Sequence, residues 1–542
     1  MANVIKPLEP RGDGRVLYVS DPSTVAVHLL PDPVEPERLC RWIDMVADSG
    51  VDTFCQEVFS QGWTAYWRSE NYEYDGRKQH RRFVPMLDRG IQPVQVLIDQ
   101  ARKRGMRFLA GFRVNDNHAF QAVQQGVKIA GFIDSHPELR LTEFPPGESY
   151  KSSQPLDFTH DAVRDFTHGV VEEFLGRFDV DGIEMCFRDH GYFPLNTGRE
   201  RAGLMTGLLR KMRETLALRG APGGGPRRLG VRVFSTIDEC LNLGLDVPAW
   251  IGEGLIDYVS PQDAMYSDFN LPIETWSSLT RSSECMLYPG CLPWTSVRAR
   301  NRQEQIPLSP AKWRALARTY YAAGADGLSI FNHFCAAWVA PFYPQQMHVF
   351  HDLRDADRIS AGERHYVFDP MWTGMTGFGS DGRSSTGRVN ANASRLARSG
   401  PERESTYEFR LYEDLTRAHG ASLLFRGFGM CEDDEIAVSL NGHLVADEFI
   451  GRTRQTSAPP AEWDHMRKTG DAQIKCLKEQ ARIEFRPEAQ QDPAFSTRWF
   501  ALDDSLVRQG INELSVRLIR SDPTATGTIV IDEVEIHVTP RS

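Results

Sequence analysis

Val180-Asp181-Gly182-Ile183-Glu184-Met185-Cys186-Phe187-Arg188-Asp189-His190-Gly191-Tyr192 reads as a buried parallel strand that ends in a burst of charge. An amphipathic run from Ala162 to Phe178 precedes it, and a second helical run, Thr197 to Leu218, follows Gly191 and Pro194. A strand between two helices belongs to a βαβ unit, whose parallel strand is covered by helices and needs apolar outer residues. Successive side chains alternate sides. Ile183, Met185 and Phe187 therefore face the helices, and Glu184, Cys186 and Arg188 face the other way. In a closed barrel that other side is the lumen, and its C-terminal mouth is where active sites sit. A structural Glu184–Arg188 ion pair is the plain alternative.

Outward from this stretch the same alternation recurs. Apolar strand-like runs are expected at 24–30, 51–59, 106–115, 180–188, 229–235, 256–262, 285–292 and 327–332, with 16–20 competing for the first place. Helical runs lie between most of them, and Ser49-Gly50, Arg104-Gly105 and Ala323-Gly324 supply the turn chemistry of helix ends. This pattern predicts an α/β fold, a (β/α)8 barrel over residues 1–365. A doubly wound open sheet is the alternative, but no Gly-rich phosphate loop follows an early strand. Residues 366–400, rich in Gly, Ser, Arg and Asn from Gly377 onward, read as a linker or bracing segment. Period-2 strands at 406–411, 422–428, 436–440, 481–485, 514–519 and 528–538 predict an all-β jelly-roll sandwich over residues 401–542.

The 542 residues carry a net charge of -11 and show no Lys/Arg-rich patch, which argues against nucleic acid as a partner. No apolar run reaches the roughly 18–20 residues of a membrane span, so no membrane partner is expected. Residues 1–20 lack the apolar core of a signal peptide; the expectation is a cytoplasmic protein unless a leader has been removed. The nine cysteines form no CxxC pair and no His/Cys cluster, and no HxxxH or HxH spacing occurs near the mouth. Neither a metal nor another cofactor is expected. A homo-oligomer is left open.

Seven segments carry a resemblance. Ser49-Gly-Val-Asp-Thr53, Arg113-Val-Asn-Asp-Asn-His118, His136-Pro-Glu-Leu-Arg140, Leu156-Asp-Phe158, Asp181-Gly-Ile-Glu184, Leu243-Gly-Leu-Asp-Val247 and Gly327-Leu-Ser-Ile-Phe-Asn332 occur in that order. With them, residues 20–365 resemble the glycosyl-hydrolase-10-like group of (β/α)8 proteins. The resemblance implies a barrel that acts on glycosidic bonds. Two departures stand out: relatives often carry Asp where this chain has Cys186, and no Glu closes the seventh strand, which ends Tyr288-Pro-Gly-Cys291. The segments 434–442 and 506–516 resemble the galactose-binding-like modules appended to many glycoside hydrolases.

Glycoside hydrolysis needs two carboxyl groups, about 5–5.5 Å apart for retention and about 6.5–9.5 Å for inversion. Glu57, Asp116, Glu184, Asp189, Asp238, Glu239 and Asp263 stand at strand C-termini. Glu184 is the first choice as general acid, because apolar neighbours desolvate it and raise its pKa. Its depth is the objection, and Asp189 replaces it if it lies too low. Asp263, after the sixth strand, is the chosen partner; a turn or cap residue is its plain reading. Glu57 binds a sugar hydroxyl or catalyses. Arg113, Arg188 and Arg232 form either a self-neutralising network with Glu57 and Glu184 or a site for an acidic sugar. His118, His190, Asn115, Asp116, Tyr192 and Asn332 are expected to contact substrate. Trp63, Tyr66, Trp67, Tyr72 and Tyr74 form an aromatic loop that is either a sugar-stacking platform or ordinary packing. The expected function is a glycoside hydrolase acting on an oligosaccharide or polysaccharide-derived carbohydrate. The alternatives are a catalytically inactive carbohydrate-binding barrel, and a lyase with His118 or Tyr192 as base.

Overall fold

A computed structural model describes residues 9–541 except 29, 61, 117–121, 124, 128, 143–154, 189–190, 263–266, 294–307, 332, 334–344, 369–375, 378–379, 382–394, 429, 432, 446–448, 456–494 and 527. Its central parallel sheet runs in sequence through Val16–Ser20 (β1), Thr53–Ser60 (β2), Arg107–Arg113 (β3), Gly182–Cys186 (β4), Arg228–Val233 (β5) and Tyr258–Pro261 (β6). The seventh strand (β7) comes in two pieces, Met286–Leu287 and Gly290–Cys291, and Leu328–Phe331 (β8) returns to β1. Met286–Leu287 pairs with β6 and Gly290–Cys291 pairs with β8, so the two ends of the sheet are halves of one strand. The ring is closed. The break falls at Pro289, which has no N–H to donate to a ladder; its carbonyl still accepts from Ser329 N at 3.0 Å.

Helices cover the ring. Pro36–Asp48 buries Leu39, Trp42, Ile43 and Val46, and Asp161–Arg177 buries Val163, Val170, Val171 and Phe174. Gly50, Gly105 and Gly324, at the helix ends read from sequence, have φ of 91°, 72° and 104°, the left-handed region where a Cβ is disfavoured. The expected first strand at 24–30 is not one. β1 is the competing run Val16–Ser20, and Pro22–His28 is a helix that starts with Pro at its first position. Asp21 opens that helix: its Oδ1 accepts from Ser23 N at 2.8 Å and its carbonyl from Val25 N at 3.2 Å.

The later strands form two antiparallel sheets of a β-sandwich. One runs Arg364–Phe368, Thr528–Pro540, Ala418–Phe428, Phe495–Ala501 and Phe449–Gln455; the other runs Glu404–Leu411, Gly510–Arg520, Glu435–Leu440 and His443–Leu444. Residues 366–400 are more than a linker, since Arg364–Phe368 and Arg395–Ala397 both pair with Thr528–Pro540. The expected strand at 481–485 lies outside the described residues. Leu423, Val534, Ile536 and Val538 from one sheet pack with Phe409, Val438, Leu514 and Val516 from the other. The sandwich rests on the barrel flank. Phe269 meets Tyr366 and Phe368, Arg410 Nε donates to Glu274 Oε2 at 3.1 Å, and Arg318 Nε donates to the Tyr412 carbonyl at 3.2 Å. Among the described residues no helix is long and apolar enough to cross a membrane.

Candidate active site

Strand register arranges the lumen in layers. Glu57, Gly111, Glu184, Gly230 and Tyr258 are successive partners around the ring, and Arg113, Cys186, Arg232 and Ser260 form the next row toward the mouth. Small residues between large ones leave room for the long side chains. A Cβ on Gly230 would lie 1.9 Å from Cζ of Tyr258, so only glycine lets that ring lie across the lumen.

Glu184 is 1% exposed and fully engaged. Arg232 Nε donates to its Oε1 at 2.9 Å, Arg232 Nη2 to its Oε2 at 3.1 Å, and Tyr258 Oη to Oε2 at 3.0 Å. Arg232 also donates to Gln262 Oε1 at 2.5 Å and Ser329 Oγ at 2.7 Å, and its guanidinium lies 5.0 Å from the Phe331 ring centre. Burial is the largest influence and works against the Arg232 charge, but Glu184, Cys186 and Tyr258 together hold the guanidinium above its ordinary range. The Arg232 fork thus meets both carboxyl oxygens of Glu184.

Glu57 is the other carboxyl group in this layer. It is 1% exposed, and neither carboxyl oxygen accepts a hydrogen bond from any described residue. Its nearest charge is Arg113, with Nε 3.7 Å from Oε1. That guanidinium is drawn to Asp116, whose Oδ2 is 2.8 Å from Arg113 Nε. Burial pushes the Glu57 carboxyl well above the usual carboxylate range, Arg113 and Arg188 pull it down, and Asp21 and Asp116 add to the rise. Burial of this kind favours the protonated form of a carboxyl group. A bulge where Glu57 and Phe59 face Gly111 and Phe112 sets the side chain at the upper end of β2.

The other expected contacts divide. Arg188 is 1% exposed with its guanidinium 4.3 Å from the Phe331 ring centre, at the mouth end of β4. Arg232 pairs with Glu184, whereas Arg113 pairs with Asp116 at 2.8 Å and lies 3.7 Å from Glu57. Asn115, at φ 59°, is a latch: its Nδ2 donates to the carbonyls of Leu156 and Gly191 at 3.0 and 2.7 Å, and its Oδ1 accepts from Leu156 N at 2.7 Å. Both N–H groups of that amide are taken, and its oxygen already accepts one bond. Tyr192 is fully buried between Phe158 and Phe187 and donates to the Phe187 carbonyl at 2.6 Å, so it offers no base to a substrate. Trp63 packs on Phe59 and Phe166, while Trp67 packs on Phe174 and donates from Nε1 to Glu173 at 3.1 Å. At 2% and 0% exposed they are core residues, and neither ring presents a face for stacking. Glu239 closes a capping box with Thr236, and Asp238 forms an exposed ion pair with Arg199 at 2.7 Å. Asp189, His190, Asp263, His118 and Asn332 lie outside the described residues.

Sequence reasoning missed Tyr258, Gln262, Ser329 and Asp21. The first two were readable: Tyr258, Ser260 and Gln262 alternate with Val259 and Pro261, the pattern of a polar lumen face. A further network lies behind β2. Arg77 Nη2 donates to Asp75 Oδ2 at 2.6 Å and to Ser23 Oγ at 3.0 Å, and His80 stacks on Tyr66 at 4.5 Å. A cavity of about 30 Å³ there, lined by Gln56, Glu57, Tyr66 and His80, has room for a water and not for a sugar ring.

Residues 15–207 match the model of the family described as Glycosyl hydrolase-like 10. The matched segment holds β1 to β4 and with them Glu57, Arg113, Asp116, Glu184 and Arg188. No curated protein matches the chain. Among solved structures, the glycoside hydrolase domain of PgaB (BpsB) from Bordetella bronchiseptica aligns at 13% identity and a TM-score of 0.42, over 64% of this chain and 99% of that one. A cycloisomaltooligosaccharide glucanotransferase from Paenibacillus sp. aligns at 11% identity and a TM-score of 0.33, over 96% of this chain and 57% of that one. Alpha-L-fucosidase isoenzyme 2 from Paenibacillus thiaminolyticus aligns at 11% identity and a TM-score of 0.40, over 66% and 51%. The chain thus spans little more than half the length of the last two. The fold is a TIM barrel followed by a β-sandwich.

Proposed function

We propose that this protein is a glycoside hydrolase acting on an oligosaccharide or polysaccharide-derived substrate, with Glu57 as its general acid. The observation that carries the reading is a buried carboxyl group at the end of β2 that accepts no hydrogen bond from any described residue and whose protonated form burial favours. Such a group is poised to protonate a leaving glycosidic oxygen. In this proposal Asp263, after β6, is the second carboxyl group, with Asp189, after β4, as its alternative. The Glu184–Arg232 pair braces the lumen in the row that holds Glu57 and the row above it. The barrel owns the chemistry, and residues 401–542 brace its flank.

Wild type, Glu57→Gln, Asp263→Asn and Asp189→Asn are assayed on nitrophenyl glycosides and a polysaccharide panel that includes uronic acid polymers. The proposal expects hydrolysis of at least one glycoside and a loss of about 10²-fold or more in Glu57→Gln, a usual minimum for removing a general acid. A preference for the uronic polymers supports recognition of an acidic sugar by Arg188. A non-catalytic carbohydrate-binding barrel is the second reading, favoured by the satisfied network around Glu184. Sugar binding without turnover on any substrate would establish it and end the hydrolase proposal. Unsaturated products absorbing in the ultraviolet would point to a lyase instead.

A further inference from the structure

The strand that leaves the barrel, Arg364–Phe368, pairs antiparallel with the last strand of the chain, Thr528–Pro540. His365 stands directly opposite His537, and Glu535 is two residues before His537 on the same face. The three side chains converge. His365 Nε2 is 2.5 Å from Glu535 Oε2, His537 Nε2 is 3.4 Å from the same oxygen, and one ligand atom from each residue lies within 4.8 Å of the others. The two imidazole rings lie face to face, 3.8 Å between centres. We propose that His365, Glu535 and His537 bind one zinc-like divalent transition-metal ion on the sandwich.

The donor set selects the metal. Two imidazole nitrogens and one carboxylate oxygen suit zinc and its first-row neighbours, whereas calcium and magnesium call for oxygen ligands. Tetrahedral bonds of about 2.0–2.1 Å place donor atoms roughly 3.3 Å apart. The His537–Glu535 separation already meets that, and a small side-chain rotation opens the His365–Glu535 pair. The His365 and Glu535 side chains are 17% and 13% exposed, and that of His537 is 45% exposed, so the fourth position opens on the solvent side. Ser422, the partner of His537 on its other side, borders the group. Bound metal would tie together strands 170 residues apart in sequence, the first and last of this sheet. A His–Glu hydrogen bond alone requires one histidine.

The test uses tag-free full-length protein, stripped with EDTA and re-equilibrated with zinc chloride. The proposal predicts one zinc per chain by elemental analysis and a Tm rise of at least about 2 °C, since a ligand of the folded state stabilises it. Magnesium chloride gives no such rise. His537→Ala, at the most exposed ligand, and Glu535→Gln each keep a native circular dichroism spectrum and lose both the zinc and the Tm rise. Cobalt substituted for zinc gives the visible absorption of a four-coordinate site. Wild type that retains no zinc overturns the proposal, and so does full zinc retention in both variants. Activity of the barrel is not part of this readout, so it stands or falls separately from the hydrolase reading.

Discussion

Replacing Glu57 by Gln removes one titrating group, and the pH dependence of stability reports whether that group was protonated. Burial raises the Glu57 carboxyl well above its ordinary value in the folded protein. Between the unfolded and folded pKa values the native state then holds a proton that the unfolded chain has released. The sign follows: stability is greatest below the unfolded value, near 4.3, and falls as pH rises toward the folded value. The slope reaches at most about 1.4 kcal/mol per pH unit for a single group. Glu57→Gln keeps the shape of the side chain and loses the titration. Urea midpoints of wild type and variant, measured from pH 5 to pH 8, give the difference directly, because other groups titrate alike in both. The variant is expected to gain on wild type steadily as pH rises, approaching that slope. A constant gap across the range would mean that Glu57 ionises as in an unfolded chain, and the argument from its burial would fail.

Arg232→Ala leaves the Glu184 carboxylate buried with Tyr258 Oη as its remaining donor, and should destabilise the barrel by about 3–5 kcal/mol; thermal unfolding checks this, and a loss under about 1 kcal/mol would show the network to be dispensable. Trp67→Ala opens a cavity against Phe174 and should cost about 3–5 kcal/mol while leaving KM unchanged; a raised KM in a stable variant would restore the stacking platform.

The barrel was legible because eight apolar runs alternate with helical ones, and the glycines at positions 50, 105 and 324 mark helix ends whichever face they pack on. The first strand misled because Thr24-Val25-Ala26-Val27 has strand composition. The decisive residue there is Pro22, which starts a helix, with Asp21 capping its backbone. Trp63 and Trp67 misled for another reason: aromatic density is the same in a packed loop and in a platform. Only Phe166 and Phe174 of a later helix, which cover them, decide between the two. Glu184 and Arg232 were both read as inward-facing, and they are. That they bond each other depends on the β4–β5 register, which sets Glu184 beside Gly230 and leaves the Arg232 fork free to reach it. Tertiary burial, unlike alternation, is not written in either strand alone. In the sandwich, His365 and His537 are far apart in sequence, so no local spacing exposes the pair.

The central claim is that Glu57 delivers a proton to the leaving group, and leaving-group dependence tests it most directly. On the glycoside that the substrate panel identifies, kcat/KM of wild type and Glu57→Gln is compared for a sugar or alkyl leaving group and for a dinitrophenyl one. An activated phenol departs without help from an acid, whereas an alkoxide does not. The account predicts a loss of about 10²-fold or more on the poor leaving group and near wild-type turnover on the dinitrophenyl glycoside. Equal losses on both, or undiminished turnover on the poor leaving group, would contradict it.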